Sequence, residues 1–246
     1  MAFPFTHLCV AWRVLEKLQN LDENHAAAFL LGSLAPDAVH YRKGYVGAGM
    51  AGIGAAKKIS HLCPVSDEKW GQVTDNGGWV KCVRNFLATH STYTGENCWV
   101  EANCFTSTSN ENAIVHAFVQ GYAAHVLTDI HNNRTLWDTF RAKYPEEAAK
   151  GYASEYYADL KEIHTRLFLE FPATTEIMAL LAKAVPVGIP GLVTAEEVRD
   201  LQENILHVEF KDARIEAPRA YKFTTYDDTL NYIESAATFC TDFFNK

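Results

Sequence analysis

Apolar residues recur along this chain at the three- and four-residue intervals of a helix, and the two-residue alternation of a half-buried strand is scarce. Near the N-terminus Val10, Val14 and Leu18 form one stripe, with Thr6 as a candidate cap and His7 on the same stripe in the first turn. The run HAAAFLLGSLAPD follows the cap candidates Asp22 and Asn24 and should break at Pro36. GYVGAGMAGIGAAKK is rich in glycine and reads as a loop at its start. Further helices are expected over about 78–88 and 110–131, and a long one opening at Pro145, where Glu146 and Glu147 suit the helix dipole. Thr194 and Glu197 form a capping box for another. A last helix from about Asp227 would carry Leu230, Ile233, Ala237, Cys240 and Phe244 on one side. There is no internal repeat and no low-complexity linker. The expectation is therefore a single all-α domain over residues 1–246, a helical bundle.

Several polar residues interrupt this pattern where it calls for core. In GYAAHVLTDIHNN (121–133), His125 and Asp129 stand four residues apart and so share one helix face. Gly121, one turn earlier on that face, leaves room for something to approach. His116 lies nine residues before His125, which at about 100° per residue puts it on the opposite face. Asp37 closes the apolar run FLLGSLAPD, His61 follows the basic pair Lys57 and Lys58 among apolar neighbours, and His164 lies on the stripe Tyr157, Leu160, Leu167, Phe171. Taken singly, each of these is an ordinary hydrogen-bonded core group or a cap. Taken together they pose a charge problem. Buried carboxylates need a cation, and these segments offer few arginines and lysines. A divalent metal satisfies carboxylates and imidazoles at once, and a His/Asp mixture suits zinc.

Composition narrows the function classes. The chain has 246 residues, 48% hydrophobic and 21% charged, with a formal net charge of −8. That balance argues against a basic face for duplex nucleic acid and against an electrostatic membrane anchor. No run reaches the length of a membrane span and no leader pattern is found, so a cytoplasmic protein is expected. The six cysteines lack any CxxC pair and are read as reduced thiols; Cys98 and Cys104 are the pair close enough in sequence to bond within a loop. Gly47, Gly49 and Gly52 satisfy GxGxxG, but no buried strand precedes them, so a loop near a site is the better reading than a dinucleotide fingerprint.

Four segments in order, THLCVA (6–11), FLLGSLAPDAVHYR (29–42), KKISHL (57–62) and GYAAHVLTD (121–129), resemble the zinc-dependent phospholipase C family. The resemblance covers about residues 5–170, in the manner of an intracellular bacterial-type member. The single-strand-specific zinc nucleases are related in fold. The resemblance implies that Asp37, His61, His125 and Asp129 bind one zinc, that Asp129 bridges to a second, and that His7 binds the second. Beyond Asp129 the chain departs from the family, which has a later histidine and a His-x-x-x-Glu pair there. His131 and His164 are the substitutes for a further site, with His164 preferred over Asp159 because five helical residues set those two about 140° apart. Two or three zinc ions, or other divalent metals, are thus expected.

The chemistry implied is hydrolysis of a phosphoester, foremost a phosphodiester, by metal-activated water at a multinuclear His/Asp site, as in a phospholipase C. Asp37 is the candidate catalytic group that orients the water or takes its proton. Arg42 is a candidate phosphate clamp and His40 lies beside it as a substrate contact. A small phosphoester or a phospholipid headgroup is the expected substrate, with no duplex nucleic acid and no stable membrane anchor. The rival readings are a single-strand nuclease on the same site, with Trp12, Tyr41 and Trp137 available for stacking, and a non-catalytic helical protein with a structural metal. Residues 172–246 are expected to supply helices that complete the core.

Overall fold

A computed structural model describes residues 3–18, 22–45, 54–64, 73–90, 99–100, 108–214 and 220–246. The described chain is almost entirely helical. α1 (Pro4–Leu18) and α2 (Glu23–Gly32) lead into a 3-10 turn at Ala35–Tyr41. α3 (Gly54–Ser60) and α4 (Asn76–His90) precede the long α5 (Thr108–Asn132), which runs into a π turn at Asn133–Trp137. Then come α6 (Asp138–Lys143), α7 (Pro145–Ala149), α8 (Glu155–Glu170), α9 (Thr174–Lys183), α10 (Ala195–His207) and α11 (Tyr226–Phe244). Two-residue strands, β1 (Trp99–Val100) and β2 (Val187–Gly188), pair antiparallel with Trp99 opposite Gly188. No described helix is long and apolar enough to cross a membrane.

Local chemistry explains most of the boundaries. Asp22 caps α2 by accepting from the N–H groups of Asn24 and His25. Thr194–Glu197 and Thr225–Asp228 close reciprocal capping boxes at the starts of α10 and α11. Two expectations need correction. Thr6 is not a cap: α1 already begins at Pro4, whose fixed φ suits a first helical position, and Thr6 is buried inside the helix. The long helix from Pro145 is two helices, because α7 stops at Ala149, Gly151 turns the chain at a φ of 56°, and Ser154 caps α8 afresh. The GxGxxG segment and the Cys98–Cys104 pair lie outside the described residues.

α5 is the axis of the molecule, packed against α2, α4, α11 and α1. Its crossing with α2 is unusually close, and two glycines make it so. A side chain at Gly121 would collide with the Phe29 carbonyl, and one at Gly32 with the Phe118 carbonyl, so each helix presents a bare position to the other's backbone. Phe29, Leu30, Leu31, Phe118, Tyr122 and Leu127 fill the space around this crossing and are fully buried. Each such side chain contributes roughly 1.5–3 kcal/mol of burial free energy. What approaches Gly121 is therefore the α2 backbone, and the functional consequence is placement: the end of α2 and the turn carrying Asp37 are pressed onto the α5 face that carries His125.

Candidate metal centre

Four separate segments deliver side chains to one buried point. His7 comes from α1, Asp37 from the turn after α2, His61 from the end of α3, and His125 and Asp129 from α5. His7, His61, His125 and Asp129 are 1–3% exposed and Asp37 is 8% exposed. His61 Nε2 lies 3.3 Å from Asp37 Oδ1 and 3.7 Å from Asp129 Oδ2. His125 Nε2 lies 3.2 Å from His61 Nε2 and 3.9 Å from Asp129 Oδ2. On the other side, His7 Nε2 is 3.7 Å from Asp129 Oδ1, and the His7 and His125 rings stack at 3.7 Å.

Backbone carbonyls fix two of these imidazoles. His125 Nδ1 donates to the Ser33 carbonyl at 2.8 Å, and His61 Nδ1 donates to the Lys57 carbonyl at 2.9 Å. A carbonyl can only accept, so both protons sit on Nδ1 and both Nε2 atoms carry lone pairs. α3 ends at Ser60, directly before His61. Leu62 adopts a φ of 54°, and the N–H groups of Leu62 and Cys63 return to Ile59 and Lys58 in a Schellman pair. A left-handed leucine costs about 1 kcal/mol or more, which the fold spends on turning the chain right beside the cluster.

The electrostatics keep His7 and His61 neutral and the two carboxylates charged. Burial, reinforced by the neighbouring His125, pulls the His7 pKa down to about 3 despite Asp129 and Asp37. Burial likewise lowers His61 to about 4, although the neighbouring Asp37 carboxylate works the other way. Burial would raise both aspartates, but Lys57 and the histidines hold Asp37 well below the usual carboxylate range, and the surrounding imidazoles hold Asp129 down.

The result is a cluster in which acceptors outnumber donors. Asp129 Oδ1 and both ring nitrogens of His7 are buried with no hydrogen-bond partner. His61 Nε2 and His125 Nε2 stand 3.2 Å apart and both face carboxylate oxygens. Such an arrangement is repulsive unless a cation occupies it. Two groups, His7/Asp37/His125 and His61/His125/Asp129, have ligand atoms that all lie within 4.8 Å of one another. Neighbouring ligands around a four-coordinate ion with bonds of about 2.0–2.1 Å stand about 3.3 Å apart. The separations in the cluster are close to that, so the donor set fits zinc.

Lys57 is the residue that sequence reasoning passed over. Its ammonium donates to Asp37 Oδ1 at 2.8 Å and to His40 Nε2 at 3.1 Å, and its side chain is buried. Burial alone would lower its pKa, yet Asp37 and the other anionic groups around it raise it above the ordinary value. The shortage of cations expected for the buried carboxylates is thus corrected for Asp37, whereas among the described ion pairs Asp129 faces only imidazoles. The signal was in KKISHL: Lys57 is four residues before His61 and shares its helix face.

The remaining sequence candidates are partnered elsewhere. Arg42 does not point a free guanidinium at the cluster: it donates to Glu197 at 2.6 and 3.1 Å and to the Leu192 carbonyl at 2.7 Å, tying the turn after α2 to α10. His131 shares a hydrogen bond of 3.0 Å with Ser235 and stacks against Tyr232 and Phe239 of α11. His164 pairs with Glu209 at 2.8 Å between the rings of Phe3 and Phe210. Asp159 is fully buried and accepts from the N–H groups of Lys222, Phe223 and Thr224. His40 alone of the substrate candidates stays at the cluster, half open to solvent beside Asp37 and Lys57. His116 is half-buried and joins neither ligand group. Compared with protein-family models, curated proteins and solved structures, the chain matches none.

Proposed function

We propose that this protein is a metal-dependent hydrolase of phosphoesters, foremost phosphodiesters, organised like a zinc-dependent phospholipase C. One observation carries the reading: buried imidazole nitrogens and carboxylate oxygens from four distant segments converge, and Asp129 Oδ1 and both ring nitrogens of His7 find no hydrogen-bond partner there. Zinc is the ion we favour, since histidine nitrogens and aspartate oxygens are its usual donors. A divalent ion held there supplies Lewis acidity, which neutralises charge on phosphoryl oxygens and acidifies water.

The chain's own residues divide the remaining work. His61, His125 and Asp129 supply ligand atoms, and the Ser33 and Lys57 carbonyls hold the two imidazoles in the required tautomer. Asp37, held ionised by Lys57, is a weak base, so we assign it to orienting water and balancing charge rather than to taking the proton. His40, on the open side, is the group an incoming substrate meets first. The thiols of Cys9, Cys82 and Cys240, none of them in a disulfide among the described residues, suit a reducing, cytoplasmic setting.

The test is hydrolysis by zinc-loaded protein of bis(p-nitrophenyl) phosphate, a phosphocholine ester and a single-stranded oligonucleotide, each with and without chelator. Chelator-sensitive turnover of a diester is expected. Zinc-loaded protein that turns over none of the three contradicts the reading, and preference for the oligonucleotide moves the substrate to single-stranded nucleic acid.

A further inference from the structure

The two candidate ligand groups overlap at His125. Its Nδ1 is committed to the Ser33 carbonyl, so only the Nε2 lone pair is available, and one lone pair serves one ion. The two groups therefore cannot both be completed at once. The group His61/His125/Asp129 has the better claim, with mutual separations of 3.2, 3.7 and 3.9 Å. Three protein ligands leave a fourth position for water or substrate, as catalytic zinc sites do. His7 then has a different part: with its proton on Nε2 it faces Asp129 Oδ1 at 3.7 Å, where it can steady the carboxylate from behind.

Charge points the same way. Lys57 cancels one of the two carboxylates, which leaves the cluster with one net negative charge. One divalent ion makes it singly positive, a match for a phosphodiester monoanion. A second ion would crowd three uncompensated positive charges into a buried space. The exposure gradient also matters. Side chains of His7, His61, His125 and Asp129 are at most 2% exposed, that of Asp37 is 11% exposed and that of His40 is 37% exposed. Substrate therefore arrives past His40, and the cation in contact with both His40 and Asp37 is Lys57.

Resting on the hydrolase reading, we propose that the centre takes one divalent ion, on His61, His125 and Asp129, and that the Lys57 ammonium is the second positive charge that meets the substrate's phosphoryl group. Lys57 thereby fills the part expected of Arg42.

The experiment is a count followed by a binding measurement. Metal-free protein is titrated with zinc chloride, and retained zinc is measured by mass spectrometry after gel filtration. One equivalent per chain is expected. Two or more overturn this inference and leave the hydrolase reading standing; no retained zinc overturns both. Inorganic phosphate is then titrated into zinc-loaded wild type, Lys57→Met and Lys57→Arg, each checked for folding by circular dichroism. Phosphate should bind Lys57→Met at least about tenfold more weakly, the scale of one charge-assisted hydrogen bond, and Lys57→Arg should recover most of the loss. Should the Lys57→Met protein not fold, Lys57→Arg and the zinc count carry the test, and phosphate binding lost in Lys57→Arg contradicts the charge role. Equal phosphate affinity in wild type and Lys57→Met overturns the role given to Lys57.

Discussion

Two buried aspartates, Asp129 and Asp159, look alike in the sequence and are opposites in the structure. Each sits on a helix in a mostly apolar face, and each is nearly or wholly inaccessible to water. Asp159 accepts from three consecutive backbone N–H groups at 2.7–3.4 Å, so its charge is solvated by the chain itself. Its work is to pin the segment before α11 onto α8. Asp129 has no backbone donor and no lysine or arginine beside it among the described ion pairs; its neighbours are imidazoles, and its Oδ1 has no partner. A buried charge that the fold satisfies is structural. One that the fold leaves unsatisfied asks for something from outside.

The sharpest way to break this contrast is at Asp129. Asp129→Asn should lower zinc affinity by more than about a hundredfold, beyond the loss typical of an outer-sphere partner, and remove hydrolysis with it. Metal-free Asp129→Asn should be as stable as the metal-free wild type or more so, because the substitution removes an unpaired buried charge. Calorimetry with and without zinc checks both halves. Asp159→Ala should do the reverse: a loss of about 3 kcal/mol or more in denaturant unfolding, from three orphaned N–H groups, with zinc stoichiometry unchanged.

Acid sharpens the comparison next. His7 and His61 have folded pKa values of about 3 and about 4, below the ordinary value near 6.5, so the unfolded chain binds their protons first. Stability of the metal-free protein is thus fully present above about pH 6.5 and is lost as pH falls through the folded values. With two protons involved, the slope between about pH 6 and pH 4 should approach roughly 2–3 kcal/mol per pH unit, read from urea unfolding at each pH. A flat profile over that window contradicts neutral, buried imidazoles at the centre. The smallest effect is expected at His131, whose hydrogen bond to Ser235 lies near the surface. His131→Phe should change stability by less than about 1 kcal/mol and leave zinc affinity as it is.

The sequence made the helices and the cluster legible to different degrees, for physical reasons. Helices such as α5 and α11 announce themselves through long apolar periods, and a capping box marks Thr194, while the one at Thr225 went unread. The split at Gly151 was hidden because an acidic first turn at Pro145 and an apolar stripe from Tyr157 onward fit one helix equally well. At the site, His125 and Asp129 were visible as a pair on one helical face, since four residues is a local distance. Whether His7, Asp37 and His61 share a point with them depends on the glycine-lined crossing of α2 and α5, which no local pattern encodes. The same blindness led the sequence reading to favour Arg42 over Lys57. Arg42 finds Glu197, 155 residues later, and only the fold could reveal that partner.

The central claim is that this cluster exists to hold a divalent cation, and ligand-induced stabilisation tests it most directly. Thermal unfolding of metal-free wild type and Asp129→Asn should be followed at increasing zinc chloride. The account predicts a melting temperature that climbs with zinc in the wild type and stays level in Asp129→Asn. An equal rise in both, or no rise in either, contradicts it.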